Sequence, residues 1–407
     1  MSGVVSVLLG GAPTSPPAGM AAYLEALGEH SSVLVRPRNG YPGFADALAQ
    51  AAELAGGRLV VTDLESDVTV VDSGRDVPAS EPILGYHSSG STGLPKCVVY
   101  RHDVVRDHAR LIASSLALTA DSRYASLTPP NFAYGLSILN SHQLAGVPVS
   151  WAARASELED AYAGTDEPLT LYLLPQQASL LAAVEGRLPL ERVITAGGRV
   201  SQPTVQSLLA RYPHLRLTAM FGQAELGPRL ALWDGPLRDF HPGTLGDPIG
   251  DVRFRLADPD SDGRTQLLVN TPHAMSWTIP APYDRVLPGP AADDEVATGD
   301  YAELLPSGHY LHTGRREDLA NVAGTKVLLA DLARSVEDAL PLAALRVTKR
   351  KARLSGDDVP VVEVIPRAGA TFTAADIRRA LHATWGPLVA LLDVRIVDQL
   401  SISEAGK

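Results

Sequence analysis

Residues 87–96 read His-Ser-Ser-Gly-Ser-Thr-Gly-Leu-Pro-Lys. Ser88, Ser89, Ser91 and Thr92 supply hydroxyl donors, Gly90 and Gly93 let the backbone fold tightly, and Lys96 closes the run with an ammonium. Donors aimed at one point from a tight turn make a phosphate cradle. It is not a Walker A loop, because the lysine follows proline and Cys97 stands where that motif needs Ser or Thr for magnesium. The bland alternative is a solvated Ser/Gly turn. Val98 and Val99 lead straight into a helical pattern of Val104, His108, Leu111, Ile112 and Ser115, so the turn joins ordered elements.

Other chemistry-bearing residues follow downstream. Phe132, Ala133 and Tyr134 stand between a proline turn and an apolar helix, which suits one wall of a small-molecule pocket; a loop and a core helix would read the same way. Gly197 and Gly198 leave a strand at Thr195, a common feature of any α/β protein. A strand from Leu215 to Met220 delivers Phe221-Gly222-Gln223-Ala224-Glu225. A carboxylate at the C-terminal end of a strand, as Glu225 is, can hold a metal that bridges phosphate oxygens. Asp300 ends Thr298-Gly299-Asp300, and Gly314-Arg315-Arg316-Glu317-Asp318 comes fourteen residues on. The chain ends on Lys407, where a lysine is ordinarily just solvated.

Positioning these residues takes a large scaffold. The 407 residues suffice for one large core plus a smaller one, and 45% hydrophobic with 20% charged residues describes a globular protein. Val4–Leu9 reads as a strand ended by Gly10-Gly11 and Pro13; helices follow at 18–27 and around Phe44, Leu48, Ala51 and Ala55, with strands at 59–62 and 68–71. This alternation gives an α/β class. Further on come helices at 176–184 and from Ser201, then helices and strands from 330 to the end, with Thr373-Ala-Ala-Asp376 as a capping box. The expected division is a large multi-subdomain N-terminal domain, 1–316, with β-sheets flanked by helices, and a small mobile α/β domain, 317–407.

Thirty-five Lys+Arg against 46 Asp+Glu give a formal charge of −11, which disfavours nucleic acid or an anionic membrane as partner. A lone cysteine, Cys97, excludes an internal disulfide and a cysteine-based zinc site. The first apolar run is too short to span a bilayer and no Lys or Arg precedes it, so a cytoplasmic protein is expected.

In motif and order, Ser88–Lys96 resembles the hallmark loop of the adenylate-forming superfamily: acyl- and aryl-CoA ligases, luciferases and the adenylation domains of nonribosomal peptide synthetases. The resemblance implies that Ser88–Gly93 and Lys96 hold the β- and γ-phosphates of ATP. Phe221–Glu225 resembles the family's Tyr-Gly-x-Thr-Glu signature, which places Phe221 against adenine beside Gly222 and makes Glu225 a magnesium ligand. Asp300 would bind the ribose hydroxyls, Arg315 would touch ribose, and Glu317 would be the hinge of the C-terminal domain. Gly197 and Gly198 would let the backbone approach adenine or the acyl group. Lys407 falls on the catalytic lysine of the final motif. Ala133 replaces the aspartate that holds the ammonium of amino-acid substrates, and Ala224 replaces a hydroxyl facing the α-phosphate. Relatives have a longer segment ahead of the loop than the roughly eighty-five residues here.

The implied reaction is attack of an acid oxygen on the α-phosphorus of ATP with loss of pyrophosphate, giving a mixed anhydride with AMP, then transfer to a coenzyme A or carrier-protein thiol. Asn321–Gly324 replaces a lysine-containing run used in the second step, and no basic cluster stands out as a seat for coenzyme A. Three readings remain open: a ligase for an aryl or short acyl acid; an enzyme that activates a non-carboxylate acid such as nitrite with an amine acceptor; and a silent nucleotide-binding protein.

Overall fold

The computed structural model describes residues 5–9, 12–29, 31–37, 41–56, 58–65, 67–72, 81–88, 94–162, 164–183, 186–352, 356–367, 369–398 and 400. Its architecture is mixed α/β. Thirteen strands of the described residues join in one sheet and seven in another. The centre of the larger sheet is parallel, with Tyr172 of Leu169–Leu173 flanked by Ser126 of Arg123–Ser126 and Ile194 of Leu190–Thr195. All five residues of Leu169–Leu173 are buried, as a parallel strand covered on both faces requires.

Alternation along the strands sorts the side chains into layers. One core holds Tyr172, Ile194 and Met220 from the larger sheet and Tyr86, Val98 and Tyr100 from the smaller, packed around helices Ala18–Gly28, His102–Ser115 and Ala133–Ala145. The opposite face of the larger sheet, with Leu171, Val193 and Leu217, is covered by Leu158, Leu181 and Leu208 of three further helices. The opposite face of the smaller sheet packs Leu59, Val61 and Ile83 on Ala47 and Ala51 of helix Phe44–Leu54. Helices therefore separate the two sheets and cover both outer faces.

Near the C-terminus, strands Leu342–Lys351, Asp358–Pro366 and Asp393–Ile396 form their own sheet. Helices Leu329–Ala339 and Ala374–Trp385 cover it, with Leu332, Val336, Val362, Val364 and Ile377 as a separate core. The capping box is present: Thr373 and Asp376 exchange side-chain and backbone hydrogen bonds. Polar contacts join this unit to the rest, including Arg199 Nη1 to Glu337 Oε2 at 2.8 Å and Arg264 Nη1 to Asp331 Oδ2 at 3.2 Å.

Two local expectations are corrected. Val98 and Val99 do not run directly into the helix; they lie in strand Lys96–Arg101, and the helix starts at His102. Four consecutive apolar or aromatic residues, Cys97–Tyr100, are buried, which a strand between two packed layers allows. Pro13 does not end the first strand but lies in a second one, Ala12–Thr14, paired antiparallel with Val5–Leu9. That strand is the sheet's edge, where a missing N–H breaks no ladder. Among the described residues no helix is long and apolar enough to cross a membrane.

Candidate active site

Strands Ile83–Ser88 and Lys96–Arg101 form an antiparallel hairpin in which Ser88 faces Lys96. The phosphate-type loop is thus the hairpin's connection, and its two ends are a cross-strand pair. A second hairpin meets this point. Gln223 pairs with Gly227 across a three-residue turn, Ala224-Glu225-Leu226, which carries Glu225 at its tip. Glu225 Oε1 lies 2.5 Å from Lys96 Nζ and accepts a long bond from Ser88 Oγ at 3.4 Å. Gly222 is required just before the tip, because a Cβ there would stand 2.1 Å from the Pro228 carbonyl oxygen.

The tip is pinned by backbone contacts that sequence reasoning did not find. The hydroxyls of Tyr86 and Tyr100 both donate to the Ala224 carbonyl oxygen, at 2.8 and 2.6 Å, and the Tyr100 hydroxyl accepts from Gly227 N–H at 3.2 Å. On the other side, Met275 N–H donates to the Glu225 carbonyl at 2.8 Å. The two rings stack with centroids 5.8 Å apart. Burial raises the pKa of both phenols, and the Glu225 charge adds to it, so both remain neutral donors. In sequence they look like ordinary core residues of two apolar strands.

Asp300 and Arg315 are directly opposite each other in strands Val296–Leu304 and Tyr310–Arg315. Asp300 is 1% exposed and accepts from Arg315 Nε at 2.9 Å, His312 Nε2 at 3.3 Å and Gln223 Nε2 at 2.6 Å. Burial works against the carboxylate's charge, but the His312 hydrogen bond and the Arg315 charge outweigh it, and its pKa falls below the ordinary value. His312 was not foreseen because strict alternation would give the position to Thr313. A register shift at Tyr301/Ala302 brings His312 into line instead. Three of about four lone-pair sites on Asp300 are taken, so one ribose hydroxyl could be accepted directly, and binding both requires one of these donors to share or give way. Gln223 also ties Asp300 to the Glu225 hairpin.

Phe221 is half-buried, edge-on to Phe254 with centroids 5.9 Å apart. Gly197 adopts φ +86 beyond the strand Leu190–Thr195, and Gly198 follows it. Helix Ala133–Ala145 starts at Phe132 without a side-chain cap. Ala133, Leu136, Ser137 and Asn140 form one helical face and line a cavity with Tyr86 and Tyr100. Tyr134 points elsewhere: it is 7% exposed, and its hydroxyl donates to the Ile194 carbonyl at 2.9 Å. Ala224 packs against the central core. Glu317 lies in the turn Arg316–Asp318, its Oε1 accepting from Arg315 Nη1 at 3.2 Å, while Lys349 Nζ donates to the carbonyls of Glu317 and Leu319. Ser89, Gly90, Ser91, Thr92, Gly93 and Lys407 lie outside the described residues.

The donor set suits magnesium better than a metal that needs a full protein cage. Among the described residues no three His, Cys, Asp or Glu side chains cluster, leaving Glu225 as a single hard oxygen ligand. Magnesium is usually held in this way, by one or two carboxylates with phosphate oxygens and water completing its shell. The Lys96 ammonium beside it adds a second positive charge for phosphate oxygens.

A model of the AMP-binding enzyme family matches residues 4–276. Tyrocidine synthase 3 of Brevibacillus parabrevis is 22% identical over 378 residues, covering 86% of this chain and 6% of that protein. The 2-succinylbenzoate–CoA ligase of Staphylococcus aureus JH9 is 24% identical over 246 residues, 59% of this chain and 48% of the ligase. The chain therefore spans less than half the length of these curated relatives. In fold it is similar to the O-succinylbenzoate coenzyme A synthetase of Bacillus subtilis in complex with ATP and magnesium ion, with TM-score 0.62 and 16% identity over 95% of this chain and 80% of that one. More than half of the chain falls under the family model, and this protein belongs to the AMP-binding, adenylate-forming enzymes.

Proposed function

We propose that the chain adenylates a small acid at the expense of ATP, with release of pyrophosphate, and that this acid is not a standard α-amino acid. The observation that carries the reading is the meeting of Ser88, Lys96 and Glu225, which joins both ends of the phosphate-type loop to the tip of a second hairpin. Lys96 and the loop donors would neutralise phosphate oxygens. Glu225 would hold magnesium, which supplies charge neutralisation at the phosphates when bound. Asp300 and Arg315 would seat the ribose, and Phe221 with Gly197 and Gly198 would flank the base. Ala133 leaves an ammonium group without a carboxylate partner.

The Arg316–Asp318 turn is the proposed boundary, with 1–316 forming the nucleotide and acid sites and 317–407 a lid that turns about Glu317 and brings Lys407 to the reacting oxygens. Transfer to a coenzyme A or carrier-protein thiol is the proposed second step. The test is pyrophosphate release from ATP and magnesium across aryl acids, short acyl acids, amino acids and nitrite, the last with and without an aromatic amine. Release with carboxylic acids and none with amino acids supports the reading. Release only with nitrite and the amine moves the protein to the non-carboxylate reading, and silence across the panel with ATP still bound contradicts adenylation.

A further inference from the structure

Residues 275–283 belong to none of the motifs that carry the candidate site, yet they touch both hairpins that make the Lys96–Glu225 contact. Their middle is strand Trp277–Ile279, which pairs antiparallel with Lys96–Arg101 so that Ile279 stands opposite Cys97. At one end, Met275 N–H donates to the Glu225 carbonyl at 2.8 Å and Ser276 N–H to the Val99 carbonyl at 2.9 Å. Further along, Thr278 Oγ1 donates to the Cys97 carbonyl at 3.2 Å. At the other end, the Tyr283 hydroxyl donates to the Pro95 carbonyl at 2.6 Å. One segment thus holds the Glu225 turn by its first residue and the peptide bond entering Lys96 by its last.

Tyr283 is held tightly for this contact. It is 2% exposed, so its hydroxyl needs a partner inside the protein. Its backbone lies at φ +73, a conformation that a tyrosine rarely adopts and that persists only where surrounding contacts hold it. The ring fills the space over Gly43, where a Cβ would stand 2.4 Å from Tyr283 Cδ2. Tyr41 packs on that ring with centroids 5.2 Å apart, and on His87 at the same distance. Because His87 precedes Ser88, one aromatic cluster braces both ends of the phosphate-type loop. The charged pair, by contrast, is open to a ligand: the Lys96 side chain is 35% exposed and that of Glu225 23%.

We infer that Tyr283 is a positioning residue for Lys96, fixing the backbone from which the ammonium reaches the terminal phosphates of ATP. This rests on the adenylation reading above, in which Lys96 serves the phosphates and Glu225 the magnesium. Lys96 is the first residue of its strand, so the ladder holds it on one side only, and Tyr283 holds the peptide on the other. The ammonium and carboxylate touch at 2.5 Å and must part to take separate ligands. A long side chain loses rotamer freedom when its head is bound, and a fixed backbone limits the further ordering that binding requires. Met275 holds Glu225 from the same segment, so the spacing of the two backbones stays set while their side chains exchange partners.

The test compares four whole proteins: wild type, Tyr283→Phe, Lys96→Met and the double variant. Calorimetry measures their affinities for magnesium-ATP and for AMP, which lacks the terminal phosphates; pyrophosphate release gives kcat/KM for ATP. Tyr283→Phe keeps the ring and removes only the hydroxyl. It should fold, bind magnesium-ATP about three- to tenfold more weakly, the range of one net hydrogen bond, and bind AMP as wild type does. Its kcat/KM should fall by the same factor. On the Lys96→Met background the substitution should change magnesium-ATP affinity no further, because a residue that acts through the lysine has no effect once the lysine is gone. The inference is overturned if Tyr283→Phe fails to fold, if it binds magnesium-ATP as wild type does, if AMP binding weakens equally, or if the two substitutions add in full. Failure of the adenylation reading looks different: no acid releases pyrophosphate, while the binding pattern across the four proteins stands.

Discussion

Two charged side chains, Asp300 and Arg229, are buried almost completely, and they are treated in opposite ways. Asp300 receives donors from Arg315, His312 and Gln223. Among the described residues Arg229 has no carboxylate within ion-pair distance; Nε donates to Ser137, Nη1 reaches Met220, the rings of Tyr134 and Tyr172 lie against it, and Nη2 has no acceptor. A charge satisfied by its own protein fixes geometry; one left unsatisfied is a cost that folding alone does not explain. The comparison separates the built end of the candidate site, where Gln223 ties Asp300 to the Glu225 hairpin, from a core charge held by hydroxyl, thioether and ring contacts alone.

The sharpest break in this picture comes at the built end. Replacing Glu225 with Gln, or Lys96 with Met, should lower acid-dependent pyrophosphate release by about 100- to 1,000-fold, the size of one lost electrostatic donor in a dry site. Steady-state kinetics check this, with circular dichroism showing both variants folded. Asp300→Ala should then lower stability by about 3 kcal/mol, because Arg315 and His312 lose their shared acceptor, whereas Arg229→Met should not lower it. Urea unfolding of the two variants side by side tests the contrast, and equal destabilisation would erase it.

Acid should act first on the buried histidines, which lie in both regions. Burial holds His87 at about 4, His108 at about 3 and His142 at about 4, below the ordinary 6.5. The unfolded chain takes up these protons below pH 6.5 and the folded chain does not. Stability is therefore full above pH 6.5 and falls as pH drops toward about 4, by on the order of 2 kcal/mol per histidine at pH 5. The lowered pKa of Asp300 adds a later loss, below the ordinary aspartate range. Denaturant midpoints between pH 7.5 and 5 measure the first phase; a flat profile would show that these rings are not held neutral. The smallest effect belongs to Tyr100→Phe, which removes one grip on the Ala224 carbonyl and should cost about 1 kcal/mol, with a several-fold fall in kcat and little change in the KM for ATP.

The built end was readable in the chain because its residues come in contiguous strings: Ser88–Lys96, Phe221–Glu225, Asp300 and Arg315 each sit in a short motif. What the strings could not show was how they meet. The Lys96–Glu225 contact depends on two hairpins converging, and His312 reaches Asp300 only through a register shift. Tyr86, Tyr100 and Arg229 escaped notice for another reason. Each lies among apolar neighbours in a buried strand, and only tertiary packing shows that two phenols hold one carbonyl or that one guanidinium nitrogen lacks an acceptor. Phe132–Tyr134 was rightly placed at a helix start, but helical phase turns Tyr134 away from the cavity lined by Ala133 and Ser137.

The most direct measurement is acid-dependent exchange of labelled pyrophosphate into ATP, which reports formation of an acyl adenylate without any acceptor thiol. Exchange should appear with at least one carboxylic acid, require magnesium, and vanish in Glu225→Gln while that variant remains folded. ATP binding with no exchange for any acid, or exchange unaffected by Glu225→Gln, would contradict the account.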